Sequence, residues 1–143
     1  RGLGDVYKRQ DIVLDSLMKV NMYEKKDEMI GNLSGGEKQR AFIARALAQE
    51  SEILLLDEAF SGVDYGSQED ISDVLKLLAS ESKTILMSTH DLNSLSDRYD
   101  KVLCLNGHVC AFGSPKEVLT EDVLKELYGV HKDRLVDHRI GSH

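Results

Sequence analysis

Ile53-Leu54-Leu55-Leu56-Asp57-Glu58 runs four apolar residues together and then stops on two acids. A strand with one wet face alternates apolar and polar residues. An unbroken apolar run instead predicts a strand over 52–57 covered on both faces, as in a parallel sheet. Thr84-Ile85-Leu86-Met87-Ser88-Thr89 repeats the pattern and predicts a second such strand. Between them, Ile71, Val74, Leu75 and Leu78 recur at helical spacing, so 66–82 is expected to be a helix with one apolar stripe. A strand, a helix and a strand in that order give a crossover connection. The predicted class is therefore α/β, with parallel core strands flanked by helices.

Working outward, Ile12, Val13, Ser16, Leu17 and Val20 predict a helix over 11–20. Residues 21–32 are polar, with mixed loop and short helix expected. A second helix is expected over 34–49, with Phe42, Ile43, Ala46 and Leu47 on one side. Beyond the second strand come a short helix at 91–98, an antiparallel hairpin at 101–112, and two short helices at 115–119 and 121–128. Pro115 stands near the start of the first of these, where its missing N–H costs nothing. Residues 1–10 (RGLGDVYKRQ) show neither period, and a disordered or non-native tail is expected there. Residues 129–143 are expected to form a C-terminal tail.

The chain has 143 residues, the size of about one domain. It carries 25 acidic and 18 basic residues, a formal net charge of −7. That balance disfavours a dedicated nucleic-acid binder, which meets phosphates with a basic surface. Apolar residues make up 41 %, enough for a core and too many for an acidic disordered chain. No apolar run approaches the ~20 residues of a membrane-spanning helix, and the first ten residues hold no stretch of signal-peptide length. A soluble protein is expected. Cys104 and Cys110 flank Asn106-Gly107, a hairpin-turn dipeptide. A two-residue turn would set Leu105 against His108 and Cys104 against Val109, with Cys110 on the opposite face from Cys104 and no bridge. A three-residue turn would undo that argument.

Three places carry chemistry. Ser34 followed by Glu37 is a capping box, so a helix starts there. Two glycines in its first turn cost up to ~1 kcal/mol each relative to alanine. A helix start with bare backbone suits an anion, above all phosphate; a flexible hinge explains the glycines as well. Asp57 ends a strand of a parallel sheet, the edge where ligands bind in such folds. There it is suited to hold Mg²⁺ through water. Glu58 points elsewhere and is placed to polarise an attacking water. The competing reading is a strand running out into a polar loop. His90 follows the second strand at the same edge, placed to hold a terminal phosphate and keep the water and Glu58 in line, or to serve a structural role. Ser61-Gly62-Val63-Asp64 is a turn with an exposed carboxylate.

In order and spacing, LSGGEKQR (33–40), ILLLDE (53–58), SGVD (61–64) and STHD (88–91) resemble the signature motif, Walker B, D-loop and H-loop of ABC-transporter ATP-binding subunits. The resemblance covers 11–128. It implies the C-terminal part of a P-loop NTPase fold in which two such domains sandwich two ATP molecules. By that resemblance, Ser34, Gly35 and Gly36 contact the γ-phosphate of ATP held by a second ATP-binding subunit, with Gln39 in support. Asp57 organises Mg²⁺, Glu58 is the general base, His90 binds the γ-phosphate, and Asp64 couples the two sites across a homodimer. Membrane permease subunits, a substrate-binding lipoprotein acting indirectly, and a place on the cytoplasmic face of the membrane are implied too.

The phosphate cradle G-x-x-x-x-G-K-[ST] does not occur in this sequence. The glutamine loop is not identifiable, and the adenine-stacking aromatic is expected upstream. A truncated, C-terminal part of such a subunit is therefore expected. Alone it should not bind or hydrolyse ATP, and it could only donate a signature motif. The stretches DEAFSGVD (57–64), HDLN (90–93), AFGSP (111–115) and EVLT (117–120) are similar to importers of the manganese/zinc/iron type. A non-transport ABC ATPase and an importer of another substrate are the alternatives. His131, His138 and His143 match no compact zinc spacing.

Overall fold

A computed structural model describes residues 2–129. Beyond Gly129, the expected tail with His131, His138 and His143 lies outside the described residues. The sequence reads 11–128 as one domain, whereas the chain packs as two compact units that divide between His90 and Asp91.

The first unit holds α1 (Leu3–Lys19), α2 (Gly35–Leu47), β1 (Ile53–Asp57), α3 (Tyr65–Ser80) and β2 (Thr84–Ser88). β1 and β2 pair in parallel, from Ile53 opposite Thr84 to Asp57 opposite Ser88. The connection between them is α3, as the α/β reading requires. Leu54 is buried in one cluster with Val20, Met22, Ile43, Ile71 and Leu78, and Leu56, Ile85 and Met87 pack against it. The other face of the pair is bare: Leu55 is 72 % and Leu86 56 % exposed. The expectation of strands covered on both faces is thus corrected. The core cluster lies against one face only, and an apolar run alone does not say whether the second cover is present.

The irregular structure expected before Asp11 is corrected for Leu3–Gln10, which are helical because α1 starts at Leu3. Leu, Lys, Arg and Gln are good helix formers. Asp5 sits in the first turn, where the helix dipole favours an anion. Residues 2–11 are all exposed, so this part extends a helix anchored further on by Ser16, Leu17 and Val20. Ser16 is buried with its hydroxyl donating to the Ile12 carbonyl at 2.7 Å. Val13, expected on the apolar stripe, is exposed.

In α2, Ser34 caps as expected. Its backbone N–H donates to Glu37 Oε2 at 2.8 Å, and Glu37 N–H donates to Ser34 Oγ at 3.2 Å. Ile43, Ala44 and Leu47 are buried, whereas Phe42 is 49 % exposed. The buried arc is therefore shifted by one small residue from the expected one. All four residues of the α3 stripe, Ile71, Val74, Leu75 and Leu78, are buried.

The second unit holds α4 (Leu95–Arg98), β3 (Val102–Leu105), β4 (Val109–Gly113), α5 (Pro115–Val118) and α6 (Glu121–Tyr128) around Leu95, Val102, Cys104 and Val118. Of the two turn lengths weighed, the hairpin has the three-residue one. Leu105 pairs with Val109 across Asn106-Gly107-His108, and a bulge then sets Cys104 opposite Ala111. Asn106 N–H donates to the His108 carbonyl at 3.0 Å, and Gly107 takes φ +73°. The bulge absorbs one residue, so even this longer turn does not oppose the cysteines. Both are free thiols, with Cys104 buried. Burial pushes the Cys104 thiol above its ordinary value.

Three carboxylates hold helix starts together: half-buried Glu37 at α2, and exposed Asp64 at α3 and Glu117 at α5. Glu37 lies below its ordinary value through the backbone N–H of Ser34, Asp64 through that of Ser67, and Glu117 through the Ser114 hydroxyl and then its backbone N–H. A depressed folded value stabilises above the unfolded value and is lost as pH falls through the folded one. Stability is therefore expected to be flat near neutrality and to decline below pH 4.5, the ordinary value of the two glutamates. The triple variant Glu37→Gln, Asp64→Asn, Glu117→Gln should lose part of that acid dependence in melts taken across pH.

Candidate functional site

Parallel pairing brings the last residues of β1 and β2, Asp57 and Ser88, side by side. The Ser88 hydroxyl donates to Asp57 Oδ1. The next residue, Glu58, sits at φ +45°. Its N–H donates both to the Ser88 carbonyl and to Ser88 Oγ, each at 3.1 Å. Left-handed backbone in a residue with a side chain costs on the order of 1–3 kcal/mol and concentrates at functional sites. It also takes the chain out of the strand direction, so Glu58 does not follow the pleat that Asp57 ends. His90 Nδ1 lies 3.0 Å from Glu58 Oε1. Asp57, Glu58, Ser88 and His90 are thus one connected, exposed cluster at the carboxyl ends of two parallel strands.

Three members of that cluster are the acids and histidine singled out by sequence. Ser88 was missed as a site residue. Its signal was the register: the last residue of one strand faces the last of the other. Gln68 was missed as well. Its Nε2 donates to the Val63 carbonyl at 2.9 Å and to the Phe60 carbonyl at 3.4 Å, bracing the turn that carries Ser61–Asp64. Within that turn Gly62 takes φ +70°, and Val63 is buried. Asp64 Oδ1 accepts the Ser67 N–H at 3.0 Å, so the carboxylate expected to couple two sites also caps α3.

Ser34, Gly35, Gly36 and Gln39 form a second group at the start of α2. The amides of Gly35 and Gly36 lie in the first turn, where no earlier helical carbonyl reaches them. The two glycines have different reasons to be bare. A Cβ on Gly36 would fall 2.4 Å from Ser67 Cβ, so its missing side chain lets α3 approach α2. A Cβ on Gly35 would lie 3.5 Å from the Gly62 carbonyl, an ordinary contact. Close helix packing therefore accounts for Gly36, and Gly35 stands exposed with nothing in the fold demanding glycine. Arg40 joins the same two helices through Asp70 at 3.0 Å.

Asp57 and Ser88 together offer a carboxylate and a hydroxyl, all oxygen and exposed to water. That donor set fits Mg²⁺, which prefers oxygen ligands and keeps several waters. No helix among the described residues is long and apolar enough to cross a membrane.

Residues 5–61 match the profile of the ABC transporter family. The manganese transport system ATP-binding protein MntA of Synechocystis is 45 % identical over 122 residues, 85 % of this chain and 47 % of that protein. The zinc transport system ATP-binding protein TroB of Treponema pallidum is 38 % identical over 80 % of this chain and 43 % of its own length. Among solved structures, cbiO1 from Clostridium perfringens, part of the ABC transporter complex cbiONQ, aligns with a TM-score of 0.71 at 29 % identity. It covers 94 % of this chain and 53 % of that one. An ATP-binding cassette of an ABC transporter in its ADP conformation aligns at 0.74 and 28 % identity, over 85 % and 50 %. The chain spans about half the length of the curated relatives it matches.

Proposed function

We propose that the chain, similar over most of its length to ABC transporter ATP-binding proteins, works within a whole subunit that hydrolyses ATP to power metal-ion uptake of the manganese/zinc/iron type. The observation that carries the proposal is the Glu58–His90 contact of 3.0 Å at the ends of parallel strands. A carboxylate held by an imidazole at that edge is the arrangement of a general base whose direction is fixed. Glu58 takes the proton of the attacking water. His90 spends Nδ1 on Glu58 and keeps Nε2 for an oxygen of the terminal phosphate. Asp57 and Ser88 would hold magnesium, which supplies neutralisation of phosphate charge. The Ser34 hydroxyl and the exposed Gly35 amide, with Gly36 and Gln39 behind them, address the γ-phosphate of ATP bound by a second subunit. Asp64, fixed at the start of α3, relays between the two sites of that dimer.

The phosphate cradle is supplied by the part of the subunit this chain does not contain. Permease subunits receive the work, a substrate-binding lipoprotein delivers cargo to them, and the complex sits on the cytoplasmic face of the membrane. Relatives named for manganese and zinc transport support the cargo class. The test is the complete subunit reconstituted with its permease in vesicles. ATP-dependent accumulation of Mn²⁺ or Zn²⁺ is the expected result. ATP turnover with no metal movement, or movement of a sugar or peptide instead, would overturn the cargo assignment; no ATP turnover at all would overturn the enzymatic one.

A further inference from the structure

We propose that His108, Cys110 and Glu126 form a binding site for a zinc-class divalent cation in the second unit. His108 ends the hairpin turn, Cys110 is the residue taken up by the bulge, and Glu126 lies in α6. One ligand atom from each lies within 4.8 Å of the others. His108 Nε2–H donates to Glu126 Oε1 at 2.7 Å, and Cys110 Sγ lies 3.9 Å from His108 Nε2. Zinc bonds of about 2.0–2.3 Å in a tetrahedron set nitrogen and oxygen about 3.4 Å apart, and nitrogen and sulfur about 3.6 Å apart. The ring and the carboxylate need only open by a fraction of an ångström, and the sulfur closes by less.

The backbone prepares the site from both sides. The bulge adds one residue to β4 and so decides which face Cys110 presents. Asn106 Nδ2 donates to the Glu126 carbonyl at 2.9 Å, tying the last turn of α6 to the hairpin turn that carries His108. One thiolate, one imidazole and one carboxylate are borderline ligands. That set selects zinc over calcium or magnesium, which take oxygen only. Three protein ligands leave a fourth position for water, and all three side chains are partly open to solvent. On binding, the Sγ–H bond of Cys110 gives way to a sulfur–metal bond and its proton leaves to water. The Nε2–H···Oε1 hydrogen bond gives way to one metal bond from each partner: the Nε2 proton leaves to water, and the neutral ring takes one from water at Nδ1. Cys104 does not compete, because it is buried and its thiol is harder to ionise.

The test is titration of the reduced, whole chain with Co²⁺, which reports thiolate ligation by a sulfur-to-cobalt charge-transfer band. One equivalent should raise the band, and Zn²⁺ should displace it. Cys110→Ser should abolish it, while Glu126→Gln should keep it and weaken affinity at least about tenfold. Cobalt bound without the band would place the metal on other histidines and overturn the proposal. So would a band that survives Cys110→Ser, or an unchanged affinity in Glu126→Gln.

Discussion

Glu58→Gln, made in a complete subunit, is expected to cut steady-state ATP turnover by about 10²–10⁴-fold, the usual contribution of a positioned general base, while leaving nucleotide binding intact. The substitution is nearly isosteric. Its amide can still meet His90 Nδ1, which now lies 3.0 Å from the carboxylate. The backbone N–H keeps both Ser88 acceptors, so the φ +45° turn persists. What disappears is the lone pair that takes a proton from water. A binding defect would instead follow from losing phosphate or magnesium contacts, and Glu58 supplies neither. Phosphate release and equilibrium nucleotide binding, measured on the same preparation, separate the cases. Turnover within about twofold of the parent would remove Glu58 from the base role, whatever its geometry.

The placement of this cluster is largely legible in the sequence. Asp57 and Glu58 end an apolar run, and His90 follows a second run, so one sheet edge had to hold all three once the strands paired in parallel. The choice between a catalytic cluster and a polar loop was not legible, because it turns on the register. Only with Asp57 opposite Ser88 does the serine hydroxyl reach the acid and its carbonyl reach the Glu58 amide. The bare face at Leu55 and Leu86 was unreadable for another reason. Hydrophobic pattern reports what a strand is built to touch, and a chain spanning half the length of its relatives need not contain it. The Leu3–Gln10 part of α1 was missed because it buries nothing. Its helicity comes from propensity and from the packed turns that follow, neither of which leaves an amphipathic period. The hairpin was found by its Asn-Gly pair, yet the bulge beside Cys110 changes the facing of every later residue in β4. No local composition announces that shift.

The paired glycines of α2 are the sharpest case, because the sequence treats them as a pair, for an anion or for a hinge, and the structure separates them, with close helix packing at Gly36 and an open position at Gly35. Gly36→Ala is expected to destabilise by about 1–3 kcal/mol, the range for forcing a methyl into a packed contact. The new Cβ would meet Ser67 Cβ at 2.4 Å, and neither atom has a torsion that moves it away. Adding Ser67→Gly should recover part of the loss, less the roughly 0.5–1 kcal/mol that glycine costs in a helix. A fall in activity with Gly36→Ala alone therefore says nothing about phosphate. Gly35→Asp asks the question cleanly. The position is exposed, a Cβ there meets only the Gly62 carbonyl at 3.5 Å, and an acid in a first turn is favoured by the helix dipole. Stability should hold or rise slightly, so lost turnover could not be blamed on unfolding. If the α2 start addresses the γ-phosphate across a dimer, the aspartate sets a negative charge against it. It also spoils a preorganised donor, and turnover should drop about 10²–10³-fold. Nucleotide binding to the subunit's own phosphate cradle, measured in the monomer, should be unchanged. A stable Gly35→Asp dimer that still hydrolyses ATP at the parental rate would mean that these amides face solvent throughout the cycle, leaving helix packing at Gly36 as the one reason for a glycine in this turn.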